Sequence, residues 1–205
     1  AHKSIDEGPA ARPAFVCWPG MSYGCAMTLS ININGAYGSG PSTMGRALAA
    51  RWACPYFDTD DVFWLPSDPR YRTVRPRAER LALLQIALEG SDRWTLSGSL
   101  AGWGDPLVAL FDLVVFLTVP TEERLARMVR RETHRFGAAV APGGAMHDNH
   151  VEFLIWAGSY DDGDASQRSR ALHEAWLDRL PCPILRLDGR SALSDLVGAV
   201  ESAIP

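Results

Sequence analysis

The residues with the clearest chemical meaning lie together between Ile31 and Gly45, in the run INING-AYGSG-PSTMG. Ile31 and Ile33 read as a buried strand, Gly35, Gly38 and Gly40 as a loop, and Thr43 to Ala53 as a helix. A strand, a glycine loop and a helix in direct succession suit a phosphate group. Glycines let bare backbone N–H groups close on phosphate oxygens, and the helix N-terminus adds partial positive charge. Against the pattern G-x-x-x-x-G-K-[ST], Gly35 and Gly40 hold the glycine positions, Ser42 holds the hydroxyl position, and Pro41 stands where the pattern has lysine. The expected cradle for nucleotide phosphates is therefore Gly35, Gly38, Ser39, Gly40, Ser42 and Thr43, without its point charge. Proline brings neither an ammonium nor an N–H, yet it fits the first turn of a helix, so the change bears on chemistry more than on folding. The competing reading is a glycine turn that binds nothing.

Further along, Cys54 to Asp58 is predicted as a short strand ending in Asp58-Thr59-Asp60-Asp61. Carboxylates at the C-terminal end of a strand that follows a phosphate loop sit where an α/β sheet keeps its ligand crevice. Together these carboxylates suit a magnesium ion held through water and the orientation of an acceptor hydroxyl. A solvated turn capping the next segment is the alternative. The irregular stretch Phe63 to Arg80 carries Arg70, Arg72, Arg75 and Arg77, a clamp for an anionic acceptor or else a wet surface loop. Gly98-Ser99-Leu100-Ala101-Gly102-Trp103, just past a strand at Trp94 to Ser97, admits a ligand close to backbone, with Trp103 packing on it; a plain turn fits as well. From Thr121 to Phe136, after an N-cap signature at Pro120-Thr121-Glu122-Glu123, Arg124, Arg127, Arg131 and Arg135 line one helix face. Pairing with Glu122, Glu123 and Glu132 on a wet face would account for them equally.

Behind these groups stands a chain of 205 residues, 47% hydrophobic, enough for one α/β domain with mobile lids. The net charge of -4 argues against nucleic acid or a membrane surface as partner and favours small molecules. Lys3 is the only lysine, so cationic catalysis falls to arginine. Cys17, Cys25, Cys54 and Cys182 show no metal pairing, and a reducing cytoplasm is expected. Residues 1–26 lack periodicity and are expected to be a disordered tail. The positioning elements then follow in order. There is a strand at 29–34, a helix at 43–53, a helix from Ala78 to Leu88, and an apolar strand from Leu113 to Val119 read as the central one. A small-residue hinge at 137–145, a helix at 149–160, an acidic turn at Tyr160-Asp161-Asp162, and a helix following Arg168 and Arg170 come next. A strand at 183–187, the turn Asp188-Gly189 and a final helix at 192–203 close the chain.

This order resembles the nucleoside-monophosphate kinase and shikimate kinase group of P-loop proteins over about residues 28–204. Asp58-Thr59-Asp60 looks like the D-[ST]-D of shikimate and gluconate kinases, in which the first carboxylate serves magnesium and the second the acceptor hydroxyl. Gly98 and its neighbours stand where shikimate kinases have a glycine run for the acceptor. Arg127 and Arg131 resemble the lid-helix arginines of adenylate kinases. Asp161-Asp162 with Arg168 and Arg170 is similar to their post-lid segment, and Asp188-Gly189 to the turn that holds adenine. Ser97-Gly98-Ser99 departs from the Asp-Gly pair of adenylate kinases and leans toward small-metabolite kinases. The resemblance implies a three-layer P-loop NTPase fold over residues 27–205, with a parallel five-stranded sheet and helical lid segments at about 133–150. It also implies ATP and Mg2+ as cofactors, and a small hydroxylated or phosphorylated acceptor. On that basis Ser42 and Asp58 are expected to hold the metal, and Asp60, Arg127 and Arg131 to be catalytic. Arg168, Arg170, Asp188 and Gly189 would join the loop in holding nucleotide, while Asp60, Arg75, Gly98, Ser99 and Gly102 would hold the acceptor. Because Pro41 replaces the lysine, a nucleotide-binding module with weak or no phosphoryl transfer is the alternative.

Overall fold

The computed structural model describes residues 28–67 and 72–204; the expected tail at 1–26 and Arg70 lie outside them. The elements run β1 (Leu29–Gly35), α1 (Pro41–Trp52), β2 (Tyr56–Asp58), α2 (Thr59–Phe63), α3 (Arg77–Leu88), β3 (Arg93–Ser97) and β4 (Leu113–Thr118). After them come α4 (Thr121–Phe136), α5 (His147–Gly158), α6 (Arg170–Leu177), β5 (Ile184–Asp188) and α7 (Leu193–Ala203). Short 3-10 turns occupy Asp105–Leu110 and Gly137–Val140.

The five strands pair in the order β2-β3-β1-β4-β5, and every pairing is parallel. Alternation along β4 sorts its side chains to two cores, as the two-residue period of a strand requires. Leu113, Val115 and Leu117 join Ile31 and Ile33 of β1 under α1 (Met44, Leu48) and α7 (Leu196, Val200). Val114 and Phe116 join Trp94 and Leu96 of β3 under α3 (Leu84, Leu88) and α6 (Trp176, Leu177). Helices thus cover both faces, giving three layers.

Three local expectations are corrected. The central strand is β1, not the apolar run of β4. All seven residues of β1 are buried, but Ser30, Asn32 and Asn34 mask this in sequence. Asn32 Nδ2 spends its protons on the carbonyls of Leu96 (3.2 Å) and Gly98 (3.1 Å), which makes a buried amide tolerable. The second correction is at Thr121, which does not cap α4: it is the first helical residue, and its hydroxyl donates to Asp161 while accepting from Arg124 Nη2. The third is that the chain after Asp58 is already helical. Asp58 Oδ1 accepts from the Asp60 N–H at 3.1 Å and caps α2.

Candidate nucleotide and acceptor site

β1 delivers Gly35 to the C-terminal edge of the sheet, and the loop from Ala36 to Gly40 folds back on itself there. The Ser39 amide and hydroxyl both donate to the Ala36 carbonyl, at 3.1 and 2.7 Å. Gly38, at φ 82°, lies so close to α4 that a Cβ would come within 2.7 Å of the Arg124 carbonyl oxygen. Gly40, at φ 101°, caps α1, and Pro41 is its first residue. The proline costs the helix nothing, since the first N–H of a helix has no intrahelical partner.

Ser42 and Asp58, expected to serve one metal ion, are brought together: Ser42 Oγ donates to Asp58 Oδ2 at 3.0 Å. Tyr56 donates to the same oxygen at 2.7 Å and also meets Ser97 Oγ at 2.6 Å. With its one proton on Asp58, Tyr56 must accept from Ser97. Burial and the neighbouring carboxylate push the Tyr56 phenol up to about 12, so it stays a donor at neutral pH. Gly45 makes room for it, because a Cβ there would sit 2.8 Å from the Tyr56 ring. Among the described residues no set of three His, Cys, Asp or Glu is arranged to hold a metal. The Ser42–Asp58 pair still fits magnesium, which takes one or two protein oxygens and completes its shell with phosphate and water.

Beside the loop lies a cavity of about 430 Å³, whose wall includes Tyr37 of the loop, Asp60 and Phe63 of α2, Arg80 of α3, Ser99 to Trp103 except Leu100, Trp156 of α5, Gln167 and Arg168. Burial first, and then the Asp58 charge, raise the Asp60 carboxyl above its ordinary value, while Arg168 pulls it back. Arg168 lies over the Tyr37 ring, and its Nη2 donates to the Gly35 carbonyl at 3.4 Å. Arg80 is only 9% exposed and lies against Phe63 (4.3 Å) and Trp103 (5.0 Å). Neither Arg80 Nε nor Arg168 Nε has a hydrogen-bond partner.

Of the expected acceptor residues, Asp60, Ser99 and Gly102 line this cavity. Gly98 stands behind it, where a Cβ would collide with Thr59 Oγ1 at 1.8 Å. Arg75 instead holds the chain's own carbonyls at Val62 (3.0 Å) and Trp64 (3.4 Å), and Arg80 lines the cavity where Arg75 does not. Of the nucleotide residues, Gly189 packs against the loop, since a Cβ there would lie 2.6 Å from the Ser39 carbonyl oxygen. Arg127 Nη1 donates to the Gly189 carbonyl at 3.0 Å, and Asp188 is held by Arg190. Arg131 is exposed and paired with Glu132, and Arg170 is paired with Asp161. Sequence reasoning passed over Tyr56, Ser97, Arg80 and His173. Arg80 alone left a direct trace, being four and eight residues ahead of the buried Leu84 and Leu88 on one apolar stripe.

No family model matches the chain. It is 41% identical over 174 residues to the protein of Bacillus subtilis (strain 168) called "uncharacterized protein YqaC", an alignment spanning 85% of this chain and 96% of that one. The chain belongs to the YqaC family. Among solved structures, a gluconokinase from Sinorhizobium meliloti 1021 matches with a TM-score of 0.51 at 19% identity, covering 86% of this chain and 91% of the other. A shikimate kinase from Acinetobacter baumannii in complex with shikimate gives 0.49 at 17% identity, covering 86% and 93%. At such identity the likeness to the gluconokinase is one of fold. This YqaC-family chain has the P-loop NTPase fold, with a five-stranded parallel sheet flanked by helices. Among its described residues no helix is long and apolar enough to cross a membrane.

Proposed function

We propose that the protein is an ATP-dependent phosphotransferase acting on a small, hydroxylated, anionic acceptor. The observation that carries this reading is that Asp60 and Arg168 share one cavity, which opens at a glycine phosphate loop beside the Ser42–Asp58 pair. In this reading the loop and the N-terminus of α1 hold the nucleotide phosphates, and the Asp188-Gly189 turn with Arg127 seats the nucleoside. Magnesium bound at Ser42 and Asp58 would neutralise phosphate charge. The acceptor anion lies against Arg80 and its hydroxyl against Asp60. Asp60 takes the hydroxyl proton as the acceptor oxygen bonds to the terminal phosphorus. The bond from phosphorus to the bridging oxygen breaks, and ADP leaves with the electron pair. The raised Asp60 carboxyl suits a proton acceptor better than an ordinary aspartate would.

Pro41 favours a second reading, a module that binds nucleotide and transfers phosphoryl slowly or not at all. ADP release measured over a panel of hydroxy acids, sugar phosphates and nucleoside monophosphates, beside calorimetric titration of MgATP, separates the two. Turnover that is lost in Asp60→Asn supports the transferase. MgATP binding with no turnover on any acceptor supports the module, and no nucleotide binding at millimolar concentration rejects both.

A further inference from the structure

His173 is wholly buried in α6 and serves neither nucleotide nor loop. Its Nδ1 meets the Tyr160 hydroxyl at 2.7 Å and its Nε2 meets Ser99 Oγ at 2.9 Å. Ser99 in turn lines the cavity. We infer that the buried chain Tyr160–His173–Ser99 fixes Ser99 as a hydrogen-bond donor, so that the acceptor must present an accepting oxygen, of a carboxylate or phosphate, to this wall. The inference rests on the phosphotransferase reading for the word acceptor only; the polarity of Ser99 stands without it.

The direction of the chain follows from proton counting. Tyr160 is buried, and His173 is the hydrogen-bond partner of its hydroxyl. If Nδ1 carried the proton, the phenol's own hydrogen would be left unmade in a buried site, whereas an unused phenol lone pair costs little. Tyr160 therefore donates to Nδ1, and the neutral ring carries its proton on Nε2. Burial, reinforced by Arg168, pushes the imidazole down to about 3, which excludes the doubly protonated ring at neutral pH. Nε2–H then donates to Ser99 Oγ, and the Ala101 N–H donates to the same oxygen at 3.3 Å. With two donors on its oxygen, Ser99 has only its own proton to offer the cavity.

The charged groups of the wall agree. Arg80 and Arg168 bring donors alone, so Asp60 is the one strong acceptor among the charged groups of the cavity. A ligand with one hydroxyl at Asp60 and oxyanion oxygens elsewhere satisfies this set. An amino alcohol would set an ammonium donor against donors, and a neutral polyol would leave the Arg80 and Arg168 charges without a counter-charge.

Two measurements test the inference. A long-range ¹H–¹⁵N spectrum of the labelled protein, with the His173 signals assigned by their loss in His173→Gln, reports which ring nitrogen carries the proton. An unprotonated Nδ1 and a protonated Nε2 are expected; the opposite pattern, or an imidazolium at pH 7, overturns the inference whether or not the protein is a kinase. ATP turnover is then compared over hydroxy acids, sugar phosphates, neutral polyols and amino alcohols. Preference for the first two is expected, with Ser99→Ala and Tyr160→Phe raising KM about tenfold or more, as for loss of a hydrogen bond to a charged group, and changing kcat less. Preference for a polyol or amino alcohol, or an unchanged KM in Ser99→Ala, overturns it. Absence of all turnover counts against the phosphotransferase alone, and the tautomer still decides the polarity of Ser99.

Discussion

The guanidinium of Arg168 sits 4.0 Å from the centroid of the Tyr37 ring, at the mouth of the phosphate loop. With Pro41 in the lysine position and Lys3 the only lysine in the chain, an arginine must supply any positive charge at the terminal phosphates. Arg124, Arg127, Arg131 and Arg170 are each paired with a carboxylate. Arg168 is the arginine whose hydrogen bond goes to the loop's own Gly35 carbonyl.

Replacing Arg168 by Met should therefore lower turnover by about a thousandfold, the scale on which an arginine serves a transferring phosphoryl group. Pro41→Lys in that background should restore about 1.5–3 kcal/mol of ATP affinity through one charge-assisted contact. Steady-state ADP release reads the first effect, and calorimetric titration of MgATP into wild type, the single variant and the double variant reads the second. Equal turnover and equal ATP affinity in wild type and Arg168→Met would remove Arg168 from the phosphate site.

Asp58→Asn and Asp60→Asn should fail differently. Asp58 accepts from Ser42 and Tyr56 at the proposed metal position, so its loss should raise the magnesium concentration needed for half-maximal rate. Asp60 lines the cavity, so its loss should act on acceptor use. The acid limb of kcat/KM should lie above the ordinary aspartate value of 3.8, because burial raises Asp60, and Arg168→Met should move it further up by removing the group that lowers it. Matching defects on the magnesium and acceptor axes would reject this division.

His173 makes stability depend on pH. Its folded-state value is about 3 against 6.5 for a free imidazole side chain, so between these values the unfolded chain binds a proton that the native chain does not. Stability is then full above pH 6.5 and falls as pH drops, by up to about 1.4 kcal/mol per unit. Urea unfolding at pH 7, 6 and 5 should show this slope, and His173→Gln should flatten it. A slope that persists in the variant assigns the proton elsewhere.

Gly98→Ala should destabilise by about 2 kcal/mol or more, since φ is +104° and the new Cβ would overlap Thr59 Oγ1. Thermal unfolding measures it. Gly102→Ala, at φ +79° with open space around it, should cost only the backbone strain, about 1 kcal/mol.

The order of elements was legible because the phosphate loop, the helix stripes and the apolar run of β4 each carry a local period. What was not legible depended on partners far apart in sequence. Tyr56 and Ser97 matter through contacts across 41 residues, and His173 through Ser99, 74 residues away. Arg75 and Arg80 show the limit of reading charge by density. The arginine in the irregular loop bonded to its own backbone, while the one embedded in a helix stripe faced the cavity. β1 can sit at the centre because Asn32 finds the carbonyls of Leu96 and Gly98 across the sheet, which composition alone does not reveal.

Arg124 is 1% exposed and spends all five of its N–H bonds inside the protein: on Val119, on Tyr37 and Ala157, and on Thr121 and Asp161. It therefore fastens the start of α4 and the last turn of α5 to the phosphate loop with one side chain. Everything between these two points is a closed excursion with a common anchorage. Such a segment keeps its two feet together, so any rearrangement over the site is a turn about that common base or a change of shape within the excursion.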